Sequence, residues 1–384
     1  MAAEFATADR ILFGAGAIHE VAPAAASFGR RALVVTGSDS SRAAGLLAAL
    51  SARGLSSQVF PVRGEPTTDR VRQAVAVGEE LACDVVIGFG GGSALDAGKA
   101  VAALLGNGGD PLDYLEVVGR GRPLTQPSFP YIAIPTTAGT GAEVTRNAVL
   151  LSPEHSVKVS LRGPTLLPDL AVVDPELTTT MPPQVTAHTG LDALTQLIEP
   201  FTSHRANPLV DPLCLAGIGD IAWALRRAVA HGEDAAARTA MSRASLFGGL
   251  ALANAGLGAA HGLAAPVGGA HGVPHGAACA ALLPAVMAVN IGALRSRAPG
   301  HQSLARYEQI ARLVTGRSDA RADDGVAWVA ALVADLGVPG LRAYGIDEGD
   351  LPDLVVKGLA ASSIKANPLP LISEEMLEIL QRAL

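Results

Sequence analysis

Cysteine is nearly missing from this chain. Its 384 residues include only three, Cys83, Cys214 and Cys279. They are too few and too irregularly spaced for a disulfide framework, read as small buried hydrophobes, and suit a reducing cytoplasm. Basic runs are missing as well. The 29 Lys and Arg are outnumbered by 36 Asp and Glu, for a formal net charge of −7. No stretch is polybasic, which excludes the cationic face that a nucleic-acid partner requires. No uninterrupted apolar run of membrane-spanning length stands out. Residues 246–270 carry Asn254, His261 and many glycines, and residues 277–294 are broken by Pro284 and Asn290, so no membrane partner is expected. The opening Met1-Ala-Ala-Glu-Phe5 lacks the basic and apolar segments of a secretory signal. A cytoplasmic location is expected. Aromatics make up only 4 %, so the core must be filled by smaller side chains.

What is abundant is apolar and small: 49 % of residues are hydrophobic and 43 are glycine. This length is too great for one ordinary domain and suits two. Up to about residue 180, short apolar runs alternate with helical patterns. Strands are expected at 31–36, 57–61, 84–89, 131–135 and 170–174, with helices at 42–53, 67–81 and 94–105. Strands of four to six residues alternating with helices imply a parallel sheet covered on both faces. Residues 106–126, rich in Gly and Pro, read as a surface excursion. Beyond Met181-Pro182-Pro183 the apolar period becomes helical, at 188–202, 209–230, 234–255, 276–290, 302–313, 323–336 and 373–384. The expected organisation is an α/β domain over 1–180 and an all-α domain over 181–384.

Two polar clusters stand out in the first part. Gly90-Gly91-Gly92-Ser93-Ala94-Leu95-Asp96 follows a strand and opens a helix. Glycines let a backbone approach an anion, and free amides at a helix N-terminus point at it. The cluster is a candidate phosphate cradle, although the spacing is not that of the usual Gly-x-Gly-x-x-Gly fingerprint; the plainer alternative is a strand-to-helix turn with Ser93 as the cap. The second cluster, Thr136-Thr137-Ala138-Gly139-Thr140 through Thr145, follows the strand at Tyr131. Four hydroxyls in ten positions exceed what a capped helix start needs.

In the second part, Asp192 and Gln196 are spaced i, i+4 on one helix face, with Glu199 three residues on. His261, His271 and His275 follow in a glycine-rich stretch. One carboxylate and two imidazoles make a sensible set for a divalent metal, although buried structural histidines give the same spacing.

Together these residues resemble the iron-containing alcohol dehydrogenase family, which has the dehydroquinate synthase-like fold. The resemblance runs from Phe13-Gly-Ala-Gly16 through Gly90–Asp96, Ile134–Thr145, Leu167-Pro-Asp169, Asp174-Pro175 and Thr189–Thr195 to His261-Gly262 and Pro274-His275-Gly276. It implies an α/β N-terminal dinucleotide-binding domain plus an all-α C-terminal domain, with the active site in the cleft between them. It further implies an oxidoreductase that moves a hydride between NAD(P)(H) and a small alcohol or aldehyde, and a homodimer or larger homo-oligomer.

Carried over, Gly91, Gly92 and Ser93 hold the pyrophosphate, Asp96, Thr136, Thr137 and Thr140 meet the nicotinamide half, and Lys158 reaches the ribose. The metal, Fe2+ or Zn2+, is held by Asp192, His261 and His275. The fourth position, usually His, is Gln196, a weaker neutral donor. A further frequent histidine is Ala265 here. His271 and His275 are the candidate catalytic histidines, donating to the carbonyl oxygen where no metal does so. Gly37 and Ser38 stand where many NAD-preferring members place an acid. With Ser41 and Arg42 they accommodate a 2′-phosphate, so NADP or dual use is expected, Asp39 notwithstanding. Leu151, Leu161 and Leu263 are expected to line the substrate site. Three other readings stay open: a metal-independent maleylacetate-type reductase, a lyase of the dehydroquinate synthase kind, and a non-enzymatic cofactor-binding protein.

Overall fold

Residues 4–155 and 157–384 are described by the computed structural model. The chain divides into two units, one of Ala6–Thr137 with Gly141–Thr178, the other of Ala138–Thr140 with Thr179–Leu384 and, at the start of the described residues, Glu4 and Phe5.

The first unit is built on β1 (Arg10–Phe13), β2 (Arg31–Thr36), β3 (Ser56–Pro61), β4 (Val85–Gly90), β5 (Tyr131–Pro135), β6 (Asn147–Ser152), β7 (Val157–Arg162) and β8 (Leu170–Val173). Six of these form one sheet in the order β1-β8-β5-β4-β2-β3, and every pairing in it is parallel. The helices are α1 (Val21–Phe28), α2 (Ala44–Ala52), α3 (Thr68–Glu80), α4 (Gly92–Asn107) and the single turn α5 (Pro111–Tyr114). Strand residues alternate between two cores. Ala32, Val34, Val85, Ile87, Ile132 and Ile134 pack with Val21 and Ala25 of α1 and Leu46 and Leu50 of α2. Leu33, Val35, Val86 and Ala133 pack with Val71 and Ala74 of α3 and Leu95 and Val101 of α4. Each such large aliphatic side chain contributes about 1.5–3 kcal/mol when fully buried.

The five strands expected from apolar runs are present, and three more were not expected. The short segment Arg10–Phe13 adds an edge strand paired with β8 in register Arg10↔Leu170. Strands β6 and β7 form a separate antiparallel pair, Asn147↔Arg162 to Ser152↔Val157, with a half-buried alternating pattern.

Helix α4 sits close on the sheet because of two glycines. A Cβ at Gly88 would fall 2.2 Å from the Tyr131 hydroxyl, and one at Gly98 would fall 2.8 Å from Tyr131 Cε2. The tyrosine fills that space and donates to Leu95 O at 2.9 Å.

The second unit is helical: α6 (Pro183–Thr202), α7 (Asp211–Ala230), α8 (Ala235–Ala255), α9 (Ala259–His271), α10 (His275–Arg297), α11 (Gln302–Thr315), α12 (Ala322–Asp335), α13 (Leu351–Ala360) and α14 (Ser373–Ala383). Helix α9 was not expected, because it contains three glycines and Pro266. Tertiary contact overrides that local cost. Gly262 brings α9 against Ile364, and Gly358 of α13 leaves room for Leu263, which a Cβ there would meet at 2.6 Å. Pro284 and Asn290 do not break α10. It is long and apolar enough to cross a membrane, contrary to expectation, but 78 % of its most apolar window is buried inside the protein.

Candidate active site

The carboxyl edge of the parallel sheet gathers the first set of expected residues. Gly37 and Ser38 follow β2, Gly91, Gly92 and Ser93 follow β4, and Thr136 and Thr137 follow β5. These three strands are neighbours. The chain leaves β2 toward β3 on one side and returns to β4 on the other. The crevice between β2 and β4 is therefore the switch point at which such sheets receive ligands. Gly90 makes the approach close: a Cβ there would stand 2.7 Å from Ala94 Cβ and 3.1 Å from Gly37 N.

Helix α4 starts at Gly92, and its cap residue Gly91 makes no side-chain bond. Ser93 lies inside the first turn and is not the cap. First-turn amides have no partner within their helix and suit an anion.

Around this turn several expected partners are engaged. Asp39 accepts from Ser41 N at 3.0 Å and from Ser41 Oγ at 2.6 Å; the hydroxyl bond is the main reason its carboxyl is held below the ordinary range. Arg42 donates to Leu177 O at 2.8 Å and to Thr136 Oγ1 at 3.4 Å. Lys158, on β7, is paired with Glu65 at 2.7 Å. Asp96 accepts from Val149 N at 3.1 Å and stands 3.4 Å from Lys99 Nζ. Burial raises its carboxyl, against the pull of Lys99.

The threonine cluster divides. Thr140 belongs with the helical unit, while the Thr145 hydroxyl accepts from buried Lys99 at 2.8 Å. That lysine also donates to Ala142 O and Asn147 O. Thr145 is a structural anchor and not a ligand group. Leu161 and Leu263, expected to line a substrate site, are both fully buried core residues; only Leu151 is half-buried.

The second set lies within the helical unit. Asp192, Gln196 and Glu199 recur on one face of α6, His261 is on the first turn of α9, and His275 opens α10. Gly276 permits the meeting of α10 with α6, since a Cβ there would lie 2.5 Å from His188 O. His261 Nε2 stands 3.4 Å from Asp192 Oδ1, and His275 Nε2 stands 3.7 Å from the same oxygen. Cys279, one turn after His275, puts Sγ 3.7 Å from His275 Nε2. One donor atom from each of Asp192, His261, His275 and Cys279 lies within 4.8 Å of the others. His271 is not one of these donors; its Nε2 is 3.9 Å from Asp350 Oδ1.

In the sequence Glu199 is noted without a role, and Cys279 reads as a buried hydrophobe. Glu199 Oε2 meets His261 Nδ1 at 2.6 Å, and Oε1 accepts from Ala260 N at 2.7 Å. Gly258 makes room for it, because a Cβ there would fall 2.9 Å from Glu199 Oε1. With Nδ1 donating to the carboxylate, Nε2 is left as a lone-pair donor.

The fit to a cation rests on two orphaned atoms. Asp192 Oδ1 and His261 Nε2, 3.4 Å apart, are buried without any hydrogen-bond partner. An unmade bond of this kind costs about 1–3 kcal/mol, so two at one place point to a ligand, and carboxylate oxygen with imidazole nitrogen suits a divalent metal. The electrostatics agree. Electrostatic interaction with the neighbouring Cys279 and Asp192 pushes the His275 imidazole up to about 9 against burial. Burial would lower His261, but Cys279, Glu199 and Asp192 carry it well above its ordinary value. Burial would raise Asp192, but His275 and His261 hold it down. The site is built to hold positive charge.

Comparison with known proteins places this geometry. Residues 8–175 match the profile of "Iron-containing alcohol dehydrogenase", and residues 186–384 match "Fe-containing alcohol dehydrogenase family, C-terminal". The chain is similar to the probable alcohol dehydrogenase EutG of Escherichia coli, with 41 % identity over 77 % of this chain and 71 % of that one. Its structure is similar to a crystal structure of a 1,3-propanediol oxidoreductase, with a TM-score of 0.92 and 32 % identity over all of both chains. It is also similar to that of a sulfoacetaldehyde reductase from Bifidobacterium kashiwanohense in complex with NAD+, with a TM-score of 0.88 and 29 % identity over 100 % of this chain and 99 % of that one. The chain is an oxidoreductase of the alcohol dehydrogenase type and belongs to the iron-containing alcohol dehydrogenase family.

Proposed function

We propose that this protein reduces small aldehydes to alcohols, and runs the reverse reaction, with NADPH or NADH and a divalent metal. The observation that carries the metal-assisted reading is the convergence of buried, unpartnered Asp192 Oδ1 and His261 Nε2 on His275. When bound, the nicotinamide supplies the hydride and the cation supplies Lewis-acid polarisation of the carbonyl oxygen.

The chain's own residues orient these partners. Amides at Gly91, Gly92 and Ser93 hold the pyrophosphate. Gly37 and Ser38 receive the adenosine ribose end. There the Asp39 carboxylate is tied to Ser41, which reduces its reach toward a 2′-phosphate and supports dual use of NADP and NAD. Asp96, Thr136, Thr137 and Thr140 meet the nicotinamide half, and Lys158 meets the ribose once it exchanges Glu65 for it. Asp192, His261 and His275 are metal ligands. Glu199 fixes the His261 tautomer. The Gln196 amide donates to Asp192 Oδ2 at 3.2 Å, turning Oδ1 toward the histidines. His275, 38 % exposed, is the ligand most open to substrate.

The test is net oxidation of NADPH and of NADH by a panel of short aliphatic aldehydes. Steady loss of nicotinamide absorbance with substrate supports the proposal. Absence of net cofactor turnover, with product formed, favours a lyase that returns its hydride within each cycle.

A further inference from the structure

We infer that Cys279 is the fourth protein ligand of the metal, supplying from α10 the donor that Gln196 of α6 does not, and that the site is a mixed oxygen–nitrogen–sulfur centre that prefers Zn2+ to Fe2+. The inference rests on the metal-assisted reading above and goes on to the identity of the donors.

Cys279 and His275 are i, i+4 on α10, the spacing by which one helix face presents two ligands to one ion. The thiol is fully buried and free of any disulfide. Its neighbours are not a plain apolar core. Three helices deliver Asp192, His261 and His275 to it, and all four donor atoms fall within 4.8 Å of one another.

Bonds of about 2.0–2.3 Å at tetrahedral angles put neighbouring donors about 3.3–3.8 Å apart. Three of the six edges of this group fall in that range: 3.4 Å for His261 to Asp192, 3.7 Å for His275 to Asp192 and 3.7 Å for His275 to Cys279; the other three are within 4.8 Å.

Gln196 is placed differently. Its amide nitrogen is spent on Asp192 Oδ2, and its Oε1 lies 3.4 Å from where a Cβ on Gly248 of α8 would sit. It positions the carboxylate from the side. Uptake of a divalent ion converts the Cys279 thiol to a metal-bound thiolate and releases its proton to solvent. A thiolate raises affinity for zinc relative to the harder oxygen and nitrogen set.

The experiment loads the metal-stripped full chain with Zn2+ or Co2+. X-ray absorption at the zinc edge should show one sulfur scatterer at about 2.3 Å. The cobalt form should show thiolate-to-cobalt charge-transfer absorption in the near ultraviolet. Cys279→Ser should abolish both signals and weaken zinc binding at least about tenfold, a loss of about 1.4 kcal/mol; Gln196→Ala should keep both. Stoichiometric metal in the wild-type chain with only oxygen and nitrogen scatterers overturns the ligand assignment and leaves the metal-assisted reading standing. A wild-type chain that takes up neither ion overturns both.

Discussion

The carboxylate of Glu199 lies 2.6 Å from Nδ1 of His261, a residue 62 positions further along the chain. Through that bond one buried acid decides which imidazole nitrogen faces the metal ligands. Outer carboxylates of this kind typically contribute 10–100-fold to metal affinity. Glu199→Gln should therefore lower zinc affinity by about that factor, read by competition with a chromophoric chelator. Unchanged affinity would mean that the tautomer is set by something else.

The buried ammonium of Lys99 ties α4 to the segment before β6. It donates to Ala142 O, Thr145 Oγ1 and Asn147 O, and it faces Asp96 at 3.4 Å. Removing one partner of a buried charge cluster costs about 3–5 kcal/mol. Lys99→Met should lower unfolding stability by about that amount, measured by denaturant titration. A loss below about 1 kcal/mol would be the size expected of an exposed pair and would contradict the account.

Glu143 gives the protein a pH signature. Burial raises its carboxyl from the ordinary 4.5 to about 7. The folded chain therefore keeps this proton where the unfolded chain has lost it. Its contribution is fully present below about pH 4.5 and is lost as pH rises through about 7. The shift corresponds to about 3 kcal/mol as an upper bound. Glu143→Gln should flatten the fall in Tm between pH 5 and pH 8, to be read as the difference between variant and wild type at each pH. Parallel Tm curves would show that the carboxyl titrates normally.

Much of this arrangement was legible in the residues. The runs at 31–36, 84–89 and 131–135 announced a parallel sheet because strands buried on both faces read as unbroken apolar stretches. The glycines that end β4 and open α4 announced a tight strand-to-helix turn; a Cβ at Gly90 would stand 3.1 Å from Gly37 N. Edge strand β1 and the β6–β7 pair were not legible because half-buried strands of four to six residues show only a weak alternation. Helix α9 was hidden by its glycines and Pro266, whose local cost is met by packing against α13. Cys279 was hidden by its type: a cysteine reads as a small hydrophobe unless its i, i+4 relation to His275 is noticed. Glu199 stood on the correct face of α6, but nothing in the local pattern tells that its partner is His261.

The turn after β4 offers a test of dinucleotide binding that leaves the metal ligands untouched. A Cβ at Gly91 would lie 3.2 Å from Thr137 Cγ2, which crowds the amides expected to meet the pyrophosphate. Gly91→Val should raise the Kd for NADPH at least about tenfold, or 1.4 kcal/mol, with zinc content unchanged. Equal affinity in calorimetric titration would move the phosphate site elsewhere.

The central claim is that a cation held by Asp192, His261 and His275 is needed for hydride transfer. The most direct measurement is NADPH-dependent aldehyde reduction by one preparation in three states: as purified, stripped by chelator, and reloaded with Zn2+ or Fe2+, with metal content determined on each. Activity should fall with the metal and return with it. Full activity in the stripped protein would show that no cation is needed and favour a metal-independent reductase.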